Sequence, residues 1–232
     1  MRSRRRVAFA ALCLLLAAGF AALGVWQVER RAWKLALIKR VEQRIHAEPA
    51  PLPSGAQWRG DQSYRRVRAT GIFLHDRETL VQAVTDLGPG WWVMTPLRFA
   101  AGTVLVNRGF VPSDRRDQQS RRAALPDGTV TVTGLLRASE PGGGFLRSND
   151  PAANRWYSRD VAAIARARGL RDVAPFFIDA DAAPNPGGVP VGGLTVIAFP
   201  NNHLVYALTW FALTALSLAG AVLLLRPQER RD

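Results

Sequence analysis

His46, His75 and His203 are the only imidazoles in this 232-residue chain, and Cys13 is the only thiol. His203 stands at the entry to an apolar run, followed by Tyr206, Ala207 and Trp210. In a helix those positions share one face. An imidazole with aromatic neighbours can serve as an axial ligand to a haem iron, the flat macrocycle lying against Tyr206 and Trp210. Trp26, Arg30 and Trp33 have the same i, i+4, i+7 character at the end of an earlier apolar run. There Arg30 or Arg31 can pair with haem propionates, as arginine forks pair with carboxylates. A plainer reading stays open beside this one. Aromatic and arginine side chains also gather at membrane surfaces as anchors, and histidine is tolerated among them.

The other candidate clusters are weaker. His75-Asp76-Arg77-Glu78 superficially resembles a metal cluster. It falls at a break between two expected strands, where Asp favours the bend, and no second cluster completes a site. Residues 140–145 are glycine-rich but lack the Gly-Lys-Ser/Thr ending of a phosphate-binding loop and the Gly-x-Gly-x-x-Gly dinucleotide pattern. They read as a flexible loop, with a partner-contact loop as the alternative. No nucleophile elbow or triad order stands out. One cysteine excludes an internal disulfide, a Cys-pair metal site, an iron–sulfur cluster and a Cys-x-x-Cys redox pair. With Met1 and Met94 the only methionines, a Met-rich copper site is excluded too.

The elements that must position these residues are legible from charge segregation. Residues 7–25 and 204–225 carry no charge. At about 1.5 Å per helical residue, each run approaches the roughly 30 Å of a bilayer's hydrocarbon core. The expected organisation is a cytoplasmic N-terminus (1–6), a transmembrane helix (7–26), a β-rich domain (27–203), a second transmembrane helix (204–225) and a cytoplasmic tail (226–232). A cleaved signal peptide is the alternative for the first run, but its length exceeds the usual apolar core of about 7–15 residues. No Lys or Arg occurs from 173 to 203, whereas Arg226, Arg230 and Arg231 follow the second run. By the positive-inside bias both termini are cytoplasmic and the central domain lies across the membrane. The net charge of +13 would suggest nucleic acid in a soluble protein. Arginines flanking both runs make anionic lipid the simpler partner, and no nucleic-acid role is expected.

Within the central domain, Trp33, Leu37, Ile38, Val41 and Ile45 continue a helix out of the membrane over 29–47, ended by Pro49, Pro51 and Pro53. Short β-branched and aromatic runs follow at 64–73, 79–83, 91–97, 103–111 and 129–136, separated by turn residues. Ser158-Arg159-Asp160 is expected to cap a short helix over 161–168, with Gly169 as its stop. Residues 175–179 and 194–199 are expected as final strands. The fold class is a membrane α+β protein, with two transmembrane helices around a mostly antiparallel sheet or small barrel.

Six short motifs, in order along the chain, carry a resemblance. They are Gly24-Val25-Trp26-Gln27 with Arg30, Trp33 and Lys34; Tyr64-Arg65-Arg66-Val67 with Gly71; Thr95-Pro96-Leu97; Val106-Asn107-Arg108-Gly109; Asn149-Asp150-Pro151 with Asn154, Trp156 and Tyr157; and Pro200-Asn201-Asn202-His203-Leu204 with Tyr206, Thr209 and Trp210. Together they resemble the surfeit locus protein 1 family over nearly the whole chain. Phe110 and Val205 depart from it, where tryptophan and glutamine are common.

The resemblance implies a non-enzymatic assembly factor for haem–copper cytochrome c oxidase, acting in biogenesis of subunit I. It implies transient binding of haem a, with the family's haem-linked histidine matching His203. Trp26, Arg30, Tyr206 and Trp210 would then shape a shallow cleft. Expected partners are oxidase subunit I, the lipid bilayer and, as a further candidate, haem a synthase. The arginine-rich composition and the lack of a Ser-rich presequence favour a bacterial inner membrane with the central domain periplasmic. Two other classes stay open: a scaffold for subunit I that binds no haem, and a haem-modifying membrane oxidoreductase, which the missing cofactor fingerprints count against.

Overall fold

The computed structural model describes residues 2–226. Met1 and residues 227–232, including Arg230 and Arg231 of the charge argument, lie outside the described residues. Two compact units result: a helical one from residues up to Arg40 and from Ala198 onward, and a β-rich one from Val41 to Ile197.

The helical unit contains most of α1 (Arg2–Ile45) and all of α3 (His203–Leu225). The first apolar run and the helix expected over 29–47 are thus one unbroken element. Both helices are long and apolar enough to cross a membrane. Their large side chains mostly face outward: Leu15, Leu208, Leu216 and Leu223 are exposed, while the buried positions are small, Ala10, Ala17, Ala207 and Ala221. That is the inverse of a water-soluble helix pair. It suits association in lipid, where close backbone approach replaces the hydrophobic effect between helices.

The β-rich unit is built on seven strands: β1 (Ala50–Pro51), β2 (Arg66–Phe73), β3 (Thr79–Thr85), β4 (Gly88–Phe99), β5 (Gly102–Pro112), β6 (Thr129–Ala138) and β7 (Val173–Ala180). Their order is β1-β2-β6-β7-β5-β4-β3, and a further β2–β4 pairing closes five of them into a barrel. Closure is short, running from Gly71↔Phe99 to Phe73↔Leu97. It needs Gly71, because a Cβ there would lie 2.1 Å from the Arg98 carbonyl oxygen.

Alternation decides which side chains fill the barrel. Val67, Ala69 and Phe73 of β2, Leu97 of β4, Val104 and Val106 of β5, Leu136 of β6, and Phe176 and Ile178 of β7 form one buried cluster. It draws on all five barrel strands and is therefore the interior. The intervening residues Leu105 and Phe177 face outward, where Trp156 and the helix α2 (Val161–Ala167) cover them through Val161 and Ile164. Covered on both faces, β5 is buried at every position from Thr103 to Val111 rather than at alternate ones. Asp160 caps α2 by accepting the Ala163 N–H at 3.0 Å, and Gly169 takes φ +61° just beyond its end.

Of the two forms expected, an antiparallel sheet or a small barrel, the structure has the closed barrel. Two details differ from the sequence expectation. The β5–β7 pair is parallel, α2 lying in the long connection that parallel pairing with β7 requires. Residues 194–199 form no strand. The reason lies in their neighbours: β5 and β7 are each paired on both edges. What remains is the end of β5 at Phe110, bonded to Val191 at 2.9 and 2.8 Å, and the Ala180 carbonyl at the end of β7, which takes the Gly193 N–H at 3.0 Å.

Candidate functional site

His203 is the first residue of α3, and its ring Nδ1 lies 2.7 Å from Oε1 of Gln27 on α1. Gln27 is only 9% exposed. An amide oxygen can only accept, so Nδ1 is the donor here, and in the neutral ring Nε2 then keeps its lone pair. This is the tautomer that binds a metal through Nε2, and a second-shell acceptor of this kind fixes the ring's orientation.

What brings Gln27 to His203 is the antiparallel packing of α1 and α3. A Cβ on Gly220 would stand 3.6 Å from Cys13 Sγ, and one on Gly24 would stand 2.6 Å from the Phe211 ring. Phe20 and Trp210 stack with centroids 5.6 Å apart and planes 24° apart. Ala10, Ala17 and Gly24 recur every seventh residue on the buried side of α1, as Ala207 and Ala221 recur at twice that spacing on α3. A seven-residue repeat keeps a seam facing its partner along the helix. Gln27 follows Gly24 by three, the next seam position.

The expected site residues divide accordingly. His203 and Trp210 both engage α1. Trp26 and Tyr206 are each 54% exposed. The Arg30 guanidinium lies 3.9 Å over the Trp33 ring, so its charge is held at the helix surface rather than in an ion pair. Gln27 was missed as a functional residue. It was quoted within a motif, and its place on the small-residue seam was the available signal.

The other histidines are occupied elsewhere. His46 Nδ1 lies 3.0 Å from the Glu42 carbonyl, and His75 Nε2 lies 3.1 Å from the Pro126 carbonyl. Among the described residues no group of three or more His, Cys, Asp or Glu is placed to hold a metal ion. Glu78 of the His-Asp-Arg-Glu turn forms a buried two-oxygen pair with Arg121, at 2.8 and 3.3 Å.

The barrel unit holds a polar cluster that sequence reading missed. Asp179 accepts from Asn107 at 2.8 Å, Arg137 at 2.7 Å, Arg159 at 3.0 Å and Thr195 at 3.1 Å. Glu140 takes two further bonds from Arg159, at 2.9 and 2.6 Å. Burial lowers the Arg159 pKa, but Asp179 and Glu140 outweigh it and hold the group above its ordinary value. Two acids and two arginines neutralise each other, which makes the cluster a tie between β5, β6, β7 and the 189–199 segment. The motif around Asn149 is also structural. Asn149 accepts the Tyr157 and Ser158 N–H groups, and Asn154 accepts from the Trp156 indole at 2.9 Å, fixing the largest side chain of the outer core. Arg155, with the Ala153 N–H behind it, holds the Asp150 carboxyl below its ordinary pKa.

Comparison with known proteins agrees with this architecture. The SURF1 family model matches residues 14–215, spanning both long helices and the barrel. Surfeit locus protein 1 of Homo sapiens is 36% identical over 211 residues, covering 83% of this chain and 69% of the human protein. The mouse protein is 37% identical, covering 87% of this chain and 71% of its own length. A SURF1-like protein of Monosiga brevicollis is 39% identical, covering 90% and 85%. The chain therefore belongs to the SURF1 family, known in general as cytochrome c oxidase assembly factors.

Proposed function

We propose that this chain is a membrane-bound, non-enzymatic assembly factor that binds haem a transiently and aids its insertion into subunit I of a haem–copper cytochrome c oxidase. The observation that carries this reading is the His203–Gln27 bond, which engages Nδ1, orients the ring and leaves Nε2 as the nitrogen for a metal. The residues fit the group. His203 would supply a nitrogen ligand, the exposed faces of Tyr206 and Trp26 would supply apolar area near it, and Arg30 would supply a cation for a propionate. Haem a would bring an iron centre able to take that nitrogen. A single imidazole bond suits a cargo that must leave again. In this reading α1 and α3 span a bacterial inner membrane with both termini cytoplasmic. The barrel docks on subunit I in the periplasm, with haem a synthase as a candidate donor.

One observation favours a haem-free scaffold for subunit I. Trp210 already spends a ring face on Phe20, so part of the expected cleft is taken up by helix packing. The two readings part in one experiment. Full-length protein is co-produced with the haem a synthesis enzymes, purified in detergent and assayed for haem, and oxidase haem content is measured in the same cells. The carrier reading expects haem a on the wild type, its loss in His203→Ala, and a drop in oxidase haem a. A haem-free wild type that still supports subunit I levels would select the scaffold.

A further inference from the structure

Arg108 breaks the pattern of its own strand. On β5, Val104 and Val106 face the barrel interior, and alternation puts residue 108 on the same face. An arginine stands where the core calls for an apolar side chain. It is only 3% exposed. Its guanidinium lies 4.9 Å over the Phe73 ring, and one terminal nitrogen, Nη2, donates to the Ala124 carbonyl and to Asn185 Oδ1. The other, Nη1, is buried with no hydrogen-bond partner.

The charge is as incomplete as the bonding. Glu78 is the acid that raises the Arg108 pKa, but both its oxygens are taken by buried Arg121, whose own charge acts against Arg108. Two buried cations thus share one carboxylate. Burial, with Arg121, brings the Arg108 pKa down to about 10 despite Glu78, which leaves it cationic at neutral pH. A buried charge with an open donor is costly unless something completes it. Rule-breaking groups of this kind mark functional positions more than structural ones.

Arg108 lines a cleft of about 220 Å³. The rest of the lining is mainly apolar, with Phe73, Val106, Val130, Val132 and Pro184 among it. The one acid there, Asp181, accepts the Ala183 N–H at 3.1 Å and lies 4.0 Å from Arg66, so it is partnered already. We propose that this cleft is a binding site for a small monocarboxylate with an apolar body, its carboxylate received by Nη1 of Arg108. The site lies wholly in the barrel unit. It uses none of the residues assigned to haem and does not depend on that assignment.

The test is titration calorimetry on the full-length protein in detergent, with sodium hexanoate as probe and hexanol and hexylamine as controls. Saturable binding of hexanoate alone is expected. Arg108→Lys, which keeps the charge but loses the planar fork, weakens it by about tenfold or more. Should Arg108 variants fail to fold, Ala183→Trp serves instead. It fills the cleft from an exposed loop position and leaves the core alone, so binding is lost while the melting temperature holds. Hexanoate uptake by the wild type no greater than that of Ala183→Trp, or hexanol binding as tightly as hexanoate, overturns the proposal.

Discussion

The barrel and the helix pair solve opposite problems with polar groups. In the barrel, Asp179 receives four donors, and Arg137 and Arg159 share it with Glu140, so nearly every bond is satisfied within the fold. Between α1 and α3 the described residues show one side-chain bond, His203 to Gln27, and it uses half of the imidazole. A network with every valence filled stabilises and has nothing to offer a ligand. A ring held by one nitrogen and open at the other is weakly stabilising but ready to coordinate. The same residue chemistry therefore closes on itself in one unit and leaves a nitrogen over in the other.

The comparison can be broken from the barrel side first. Asp179→Ala leaves two half-buried guanidiniums with Glu140 as their one carboxylate and buried Asn107 without its acceptor, and we expect a loss of about 3–5 kcal/mol in chemical denaturation of the barrel, with haem binding following only through unfolding. Glu78→Ala, which strands Arg121, should cost a similar amount. Next, Gly24→Leu drives a side chain into the Phe211 ring. A cost of about 1–3 kcal/mol in helix association is expected, read as weakened α1–α3 cross-linking between introduced cysteines, with the barrel's denaturation midpoint unchanged. Gln27→Leu sharpens the contrast. It removes about 1 kcal/mol or less of stability but frees the tautomer, and haem a affinity should fall roughly 10- to 100-fold by spectral titration.

The smallest effect is expected at Asp150. Its carboxyl is depressed in the folded state, so its stabilisation is present above the unfolded value of about 3.9 and is lost as pH falls through the lower folded value. Asp150→Asn should lower stability slightly at pH 7, by an amount that shrinks to nothing as pH falls through the folded value, so that the acid limb is flattened. A loss of equal size at pH 7 and in strong acid would contradict the assignment.

Much of this was legible in the sequence because each signal was local. Proline after residue 48, the turn residues between runs, and the Asp160 cap with Gly169 placed α1, α2 and five strands within a few residues. Chain closure was not local: it depends on the Gly71–Arg98 approach across the barrel, which no periodicity encodes. Residues 194–199 have strand composition, but the edges they pass were already paired. The histidine was found from its neighbours' types, whereas Gln27 needed the seven-residue spacing of Ala10, Ala17 and Gly24. Asp179 and the Asn107-Arg108 pair sit in otherwise mainly apolar strands, and only the three-dimensional count of donors and acceptors separates the filled cluster from the unfilled one.

The central claim is that Gln27 holds His203 so that Nε2 can take the iron of haem a. It is tested most directly by the visible absorption spectrum of detergent-purified wild type, Gln27→Leu and His203→Ala, each co-produced with haem a synthesis enzymes. The account predicts a haem a band in the wild type, a weaker one in Gln27→Leu and none in His203→Ala. Equal bands in all three proteins would contradict it.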